Sequence, residues 1–195
     1  GAMIVLAEWV AHDDSAARVV AVPLHLVNTL FLLAALTLTI FWLSGGGRLR
    51  WSSAPKRVRR SVVAAGSALV ALAATGAVTA LADTLFPKGG DLSAEEHFLT
   101  ALRIVHPILA LVILTSTWAV AARSSRRLAG WVPLLVGLMA VTGVANIAFG
   151  VPIWAQLLHL AVADALWVTY VMISARALAA RSAKAPAGNP VSLPD

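Results

Sequence analysis

Three histidines in long apolar segments are the residues of this chain best suited to chemistry. They are His25, His106 and His159, and each lies roughly two helical turns inside its segment. An ionisable side chain within a membrane is costly and indicates a functional site. Imidazole is also the commonest metal-binding side chain. Histidines that face each other at one level of a helix bundle suit the axial positions of a haem iron.

The composition indicates an integral membrane protein. Of 195 residues, 59% are hydrophobic and only 12% are charged, and the mean hydropathy is +0.84, whereas a soluble domain carries about a quarter charged residues. The chain has no cysteine, which excludes disulfides, thiolate-ligated haem and cysteine-ligated iron–sulfur clusters. The net charge of +6 lies mainly in the connections between apolar segments, so it reflects membrane topology rather than binding to nucleic acid.

Five apolar segments are each long enough to cross a bilayer, which takes about 20 residues. The sequence therefore predicts an all-α integral membrane protein with five transmembrane helices. The predicted spans are 19–43, 61–82, 95–122, 128–149 and 152–176. Helix 1 is assigned to 17–43 and a four-helix haem-binding bundle to 58–181. Residues 1–16 are interpreted as a tag remnant (Gly1-Ala2-Met3) with a short outer segment, and 182–195 as a disordered tail.

Charged residues in the connections predict the orientation. Basic residues dominate the connections after spans one, three and five, and acidic residues dominate the other side. By the positive-inside rule, the N-terminus is outside the cell membrane and the C-terminus is cytoplasmic. Spans one, three and five then run inward. At about 1.5 Å per residue, their histidines lie roughly 9, 12 and 10 Å from the outer ends of the spans, so the site is expected toward the outer face.

Polar neighbours favour ligation by two of the histidines. Arg103 precedes His106 by three residues and shares its helix face, which suits a haem whose propionates point outward to the guanidinium. Gln156 stands in the same relation to His159 and could bond a propionate or a ring nitrogen. The alternative is an arginine that snorkels to the interface and histidines bonded to neighbouring helices, without a cofactor.

Other polar side chains have roles that the sequence leaves open. His25 has no fourth deep histidine as a partner, although Thr29, one turn further on, could hold its second ring nitrogen. Asp164, near the middle of the membrane, could orient a ligand, relay protons or bond a Ser or Thr structurally. His97, beside Glu95 and Glu96, is interpreted as a solvated residue, with ligation or proton transfer as the alternative.

Four stretches resemble the haem A synthase family. They read HLVNT at 25–29, TGAVTALADTLFP at 75–87, RIVHP at 103–107 and QLLHLAVAD at 156–164. The resemblance implies an eight-helix protein made of two similar four-helix halves, each with a histidine on its second and fourth helices. In that family the second half holds a b-type haem. The first half oxidises the methyl group of haem O to the formyl group of haem A for cytochrome oxidase biogenesis.

Carried over to this chain, the resemblance divides the three histidines between two sites. His106 and His159 match the ligands of the haem b cofactor. His25 matches the last helix of the first half and would be catalytic, as a ligand to the substrate haem iron. The first three helices of the family, with the other substrate-site histidine and an outer acidic residue, have no counterpart here. The resemblance therefore implies either a missing N-terminal half or assembly into an oligomer.

Three functions follow as hypotheses. The first is a haem A synthase that oxidises haem O with oxygen and an external electron donor. The second is a non-catalytic b-type cytochrome, or the cofactor half of a split or truncated synthase. The third is a helical bundle without a cofactor, with its histidines satisfied internally. The expected partners are the lipid bilayer, haem and, for the enzyme, an electron donor.

Overall fold

The computed structural model describes residues 16–85, 104–115 and 130–179, and these form five helices. In chain order the helices are α1 (Ala16–Leu43), α2 (Lys56–Leu85), α3 (Ile104–Thr115), α4 (Trp131–Ala148) and α5 (Ile153–Leu178). All except α3 are long and apolar enough to cross a membrane. The described residues contain no strand, only one isolated bridge between Leu49 and Ala179. The prediction of an all-helical, multi-pass membrane protein is confirmed.

The helix bounds differ from the predicted spans mainly in α2 and α3. Helix α2 begins at Lys56, five residues before the predicted span, because lysine and arginine are good helix formers and extend the helix beyond its apolar part. Of the predicted third span, 104–115 is described. Arg103, His97 and the two glutamates beside His97 lie outside the described residues. The ends of α4 and α5 agree with the prediction to within three residues.

A tight connection at residues 149–152 joins α4 to α5. Gly150 adopts a positive φ of 72°. Its N–H donates to the carbonyl of Ile147 at 3.4 Å, and the N–H of Val151 donates to the carbonyl of Asn146 at 2.7 Å. This pair of bonds is the Schellman motif, which favours glycine at its left-handed position. Pro152 then immediately precedes α5. The two helices are therefore antiparallel neighbours.

Helix α1 packs against the other helices through hydrogen bonds as well as apolar contacts. Nε1 of Trp167 in α5 donates to the carbonyl of Leu30 in α1 at 2.7 Å, and both residues belong to one buried cluster with Val171. A Trp N–H within a membrane needs such an acceptor, since lipid supplies none. The bond sets the register between α1 and α5.

Helix α2 approaches α5 closely at Gly66. Oη of Tyr170 donates to the carbonyl of Val62 at 2.6 Å, and a Cβ at position 66 would lie 2.5 Å from this Oη. Gly66→Ala should therefore displace the phenol and break its bond, which costs about 1–3 kcal/mol of stability. Gly137→Ala, where a Cβ would meet open space, is the matched control. Thermal unfolding in detergent tests the difference, and equal midpoints for the two variants would contradict this packing.

Candidate functional site

Two histidines of the bundle are each bound by a threonine of the preceding helix. Oγ1 of Thr75 in α2 lies 3.1 Å from Nδ1 of His106 in α3. Oγ1 of Thr142 in α4 lies 2.9 Å from Nδ1 of His159 in α5. Both rings are half-buried, and Leu109 and Val162, each about one turn from one of these histidines, pack on the same buried cluster. The structure thus brings His106 and His159 together.

The threonines determine which ring nitrogen carries the proton. Thr75 also bonds the carbonyl of Leu72 at 2.9 Å, and Thr142 bonds that of Leu138 at 2.8 Å. A hydroxyl has a single hydrogen to donate, and these carbonyls can only accept it. With the hydroxyl hydrogen on that carbonyl, each threonine oxygen accepts a hydrogen bond from the Nδ1–H of the imidazole, and we predict this tautomer for both rings. In this tautomer Nε2 keeps its lone pair, as a metal ligand requires.

A glycine follows each of these threonines, and Gly76 lets the ring of His106 pack against the helix backbone. A Cβ at Gly76 would lie 2.9 Å from Cε1 of His106, and one at Gly143 would lie 3.5 Å from Cε1 of His159. The chain has no other Thr-Gly dipeptides. Our prediction assigned no role to the two threonines. The signal that could have found them is this repeat, in which Thr-Gly on one helix precedes a histidine on the next.

One side of the histidine pair is closed by an apolar cluster that draws on α2, α3, α4 and α5. Four of its members each lie three residues from one of the two threonines or the two histidines. All four lie on the side away from the α4–α5 connection. These four are Leu72, Leu109, Met139 and Val162. Within the described residues, the cluster lines that side of the rings with apolar side chains.

Gln156, which we predicted to bind the cofactor, lies half-buried near that connection. Its Nε2 donates to the carbonyl of Val151 at 2.8 Å, so the amide stabilises the turn between α4 and α5. Its role toward a cofactor stays a prediction. The same holds for Arg103, which immediately precedes the described part of α3.

His25 lies apart from the pair. Its side chain is exposed, and within residues 16–85, 104–115 and 130–179 its ring makes no hydrogen bond. The hydroxyl of Thr29 bonds the backbone carbonyl of His25 at 3.0 Å, so the expected contact with the ring is not formed. His25 lies five residues before Leu30, and His159 lies eight residues before Trp167, whose indole bonds Leu30. At about 1.5 Å per residue, the two histidines therefore differ in depth by about 4.5 Å. The two histidines therefore lie at different levels of the bundle.

Asp164 has a buried carboxyl oxygen, Oδ1, with no partner among the described residues. It lies three residues before Trp167, which packs on α1. Oδ1 therefore does not form the hydrogen bond to a Ser or Thr that was one of the three roles predicted for this carboxyl.

The fold and the site define a membrane protein with paired imidazoles inside a helix bundle. The chain belongs to the COX15-CtaA family, described as cytochrome oxidase assembly protein, whose family model matches residues 1–171. This confirms the resemblance to the haem A synthase family and supports a role in cytochrome oxidase assembly.

Curated relatives include proteins named Protoheme IX farnesyltransferase from two strains of Thermus thermophilus. Each is 41% identical to this chain over 195 aligned residues, which cover 91% of the chain and 32% of the relative. The chain thus spans about a third of the length of these relatives. No solved structure matches it.

Nitrogen-15 NMR of the histidine side chains in the cofactor-free protein tests the tautomer. We expect Nδ1 of His106 and His159 to carry the proton. Thr142→Val should release His159 into a tautomer mixture by removing a bond that contributes about 1 kcal/mol, with His106 as the internal control. Thr142→Ser should keep the wild-type signals. An Nε2–H signal for His159 in the wild-type protein would disprove the assignment.

Proposed function

We propose that this chain holds a b-type haem between His106 and His159 as the haem-binding unit of a haem A synthase. The whole enzyme oxidises the methyl group of haem O to the formyl group of haem A for cytochrome oxidase assembly. The observation that carries the proposal is the pair of imidazoles held at Nδ1 by Thr75 and Thr142. This leaves two Nε2 atoms, from α3 and α5, that would hold the haem iron.

The residues around the pair fit a haem. Neutral imidazole donors are axial ligands of b-type iron, and a threonine behind each ring acts as the hydrogen-bonding partner that orients a ligating histidine. The apolar cluster containing Leu72 and Met139 suits the hydrophobic body of a porphyrin. When bound, the haem supplies one-electron redox chemistry. The protein holds and orients it and keeps water from one side.

Oxidation of the substrate requires a second site under this proposal. His106 and His159 would both hold the iron at the first site, and a haem held in this way would supply electron transfer. His25, on the exposed face of α1, is the proposed ligand of the substrate haem O. The other side of the substrate site would come from an N-terminal half or a second copy. The name of the Thermus relatives, Protoheme IX farnesyltransferase, is that of an enzyme acting on haem, which supports a haem substrate.

The second candidate is a non-catalytic b-type cytochrome or the cofactor half of a split synthase. The exposed side chain of His25, whose ring makes no hydrogen bond within the described residues, favours this candidate for the isolated chain. Both candidates share the haem site and differ only in whether the chain takes part in haem O oxidation.

Absorption spectra of the haem-loaded protein test the site. Low-spin b-type bands should be present in the wild-type protein and absent in His106→Ala and His159→Ala, since each variant lacks one axial ligand. His25→Ala is the matched control and should keep the bands. Circular dichroism checks that all variants remain helical. Unchanged bands in both ligand variants would refute the assignment.

Extraction of haem after incubation with haem O, oxygen and a reductant separates the two candidates. Under the enzyme proposal, the wild-type protein forms haem A. His25→Ala should reduce haem A formation to background while its b-type bands persist. A wild-type protein that carries haem b but forms no haem A would support the passive cytochrome instead.

A further inference from the structure

A half-buried asparagine in α4 has a buried side-chain oxygen without a partner among the described residues. Oδ1 of Asn146 is buried and has no hydrogen-bond partner in the part of the chain that the structure describes. Buried polar atoms are normally paired, and an exception calls for an explanation such as a ligand. This is especially so in a membrane protein, where lipid offers no hydrogen bonds.

Helix geometry places Asn146 on the face of α4 that contacts His159. Asn146 follows Thr142 by four residues and Gly143 by three, so it lies about 40° from the first and about 60° from the second around the helix. Thr142 bonds the ring of His159, and Gly143 packs against it. Asn146 therefore lies between two contacts of that ring, one helical turn nearer the α4–α5 connection.

That side of the rings is polar, whereas the opposite side is closed by the apolar cluster. Thr79 occupies the equivalent position in α2, four residues after Thr75, and its hydroxyl donates to the carbonyl of Thr75 at 2.9 Å. Nε2 of Gln156 donates to Val151. The hydroxyl of Thr79 and the amide N–H of Gln156 thus donate to carbonyl groups within the protein. The buried atom of Asn146 has no such partner among the described residues.

We propose that Asn146 binds a propionate of the haem held between His106 and His159, a proposal that rests on the proposed function. A rotation of 180° exchanges Oδ1 and Nδ2 of an asparagine, so the buried position can present either an acceptor or a donor. Carboxylates are the polar groups at the edge of haem b, and an amide N–H bonds a carboxylate in a charge-assisted manner. The apolar cluster directs the propionates toward Asn146.

Titration of the full chain in detergent with haem b and with haem b dimethyl ester tests the proposal. In the ester the propionates carry no charge. Asn146→Leu should bind haem b about 10–100-fold more weakly than the wild-type protein does, because a hydrogen bond to a charged group is lost. Its loss of affinity for the ester should be smaller, because the ester carbonyl accepts only an uncharged hydrogen bond. Asn28→Leu, the same change at an exposed position of α1, should alter neither affinity.

Asn146→Asp provides a second variant of nearly the same shape. Its carboxylate should repel the propionates and weaken binding of haem b, and its loss of affinity for the ester should again be smaller. This comparison decides the matter if Asn146→Leu fails to fold.

Two results would overturn the inference while leaving the haem site intact. One is wild-type affinity of both Asn146 variants for haem b. The other is an equal loss of affinity for haem b and for the ester, which would make the amide a structural support only. If the wild-type protein binds neither ligand, the proposed function itself fails, and this inference fails with it.

Discussion

The site depends on a threonine oxygen that accepts a hydrogen bond from an imidazole on the neighbouring helix. A histidine within a membrane needs a polar partner, and Thr75 and Thr142 supply it. Each threonine can accept because its hydrogen is donated to its own helix. The contact orients the ring, and it requires the two helices to approach closely. Gly76 permits that approach, since a Cβ there would lie 2.9 Å from Cε1 of His106.

The same constraint operates twice, in two helix pairs. Thr75 in α2 holds His106 in α3, and Thr142 in α4 holds His159 in α5. Each pair alone presents one imidazole, and only packing of the pairs through the shared apolar cluster completes the site. Packing in the bundle and ligand geometry are therefore coupled. A change in the cluster would move both rings, whereas a change at one threonine would affect a single ring.

The long apolar helices could be predicted from the sequence, because apolar length is a local property. The threonine contacts could not, since a helical threonine ordinarily bonds only its own preceding turn, as Thr29 does. The exposure of His25 was also beyond prediction. Depth along a helix says nothing about which face packs against a neighbour. Gln156 shares a face with His159 as expected, but its amide bonds the adjacent turn.

The position of α1 bears on how two haem sites would communicate under the proposed function. Helix α1 is bound to α5 by Trp167, and α5 also carries His159. His25 lies about 140° around α1 from Leu30, the residue that receives this bond. A substrate haem at His25 would thus lie on the far side of α1 from the cofactor. Packed helices are separated by about 8–10 Å, so electrons would cross a single layer of helix. Under the proposed function, the contact between α1 and α5 would therefore set the distance between the two haems.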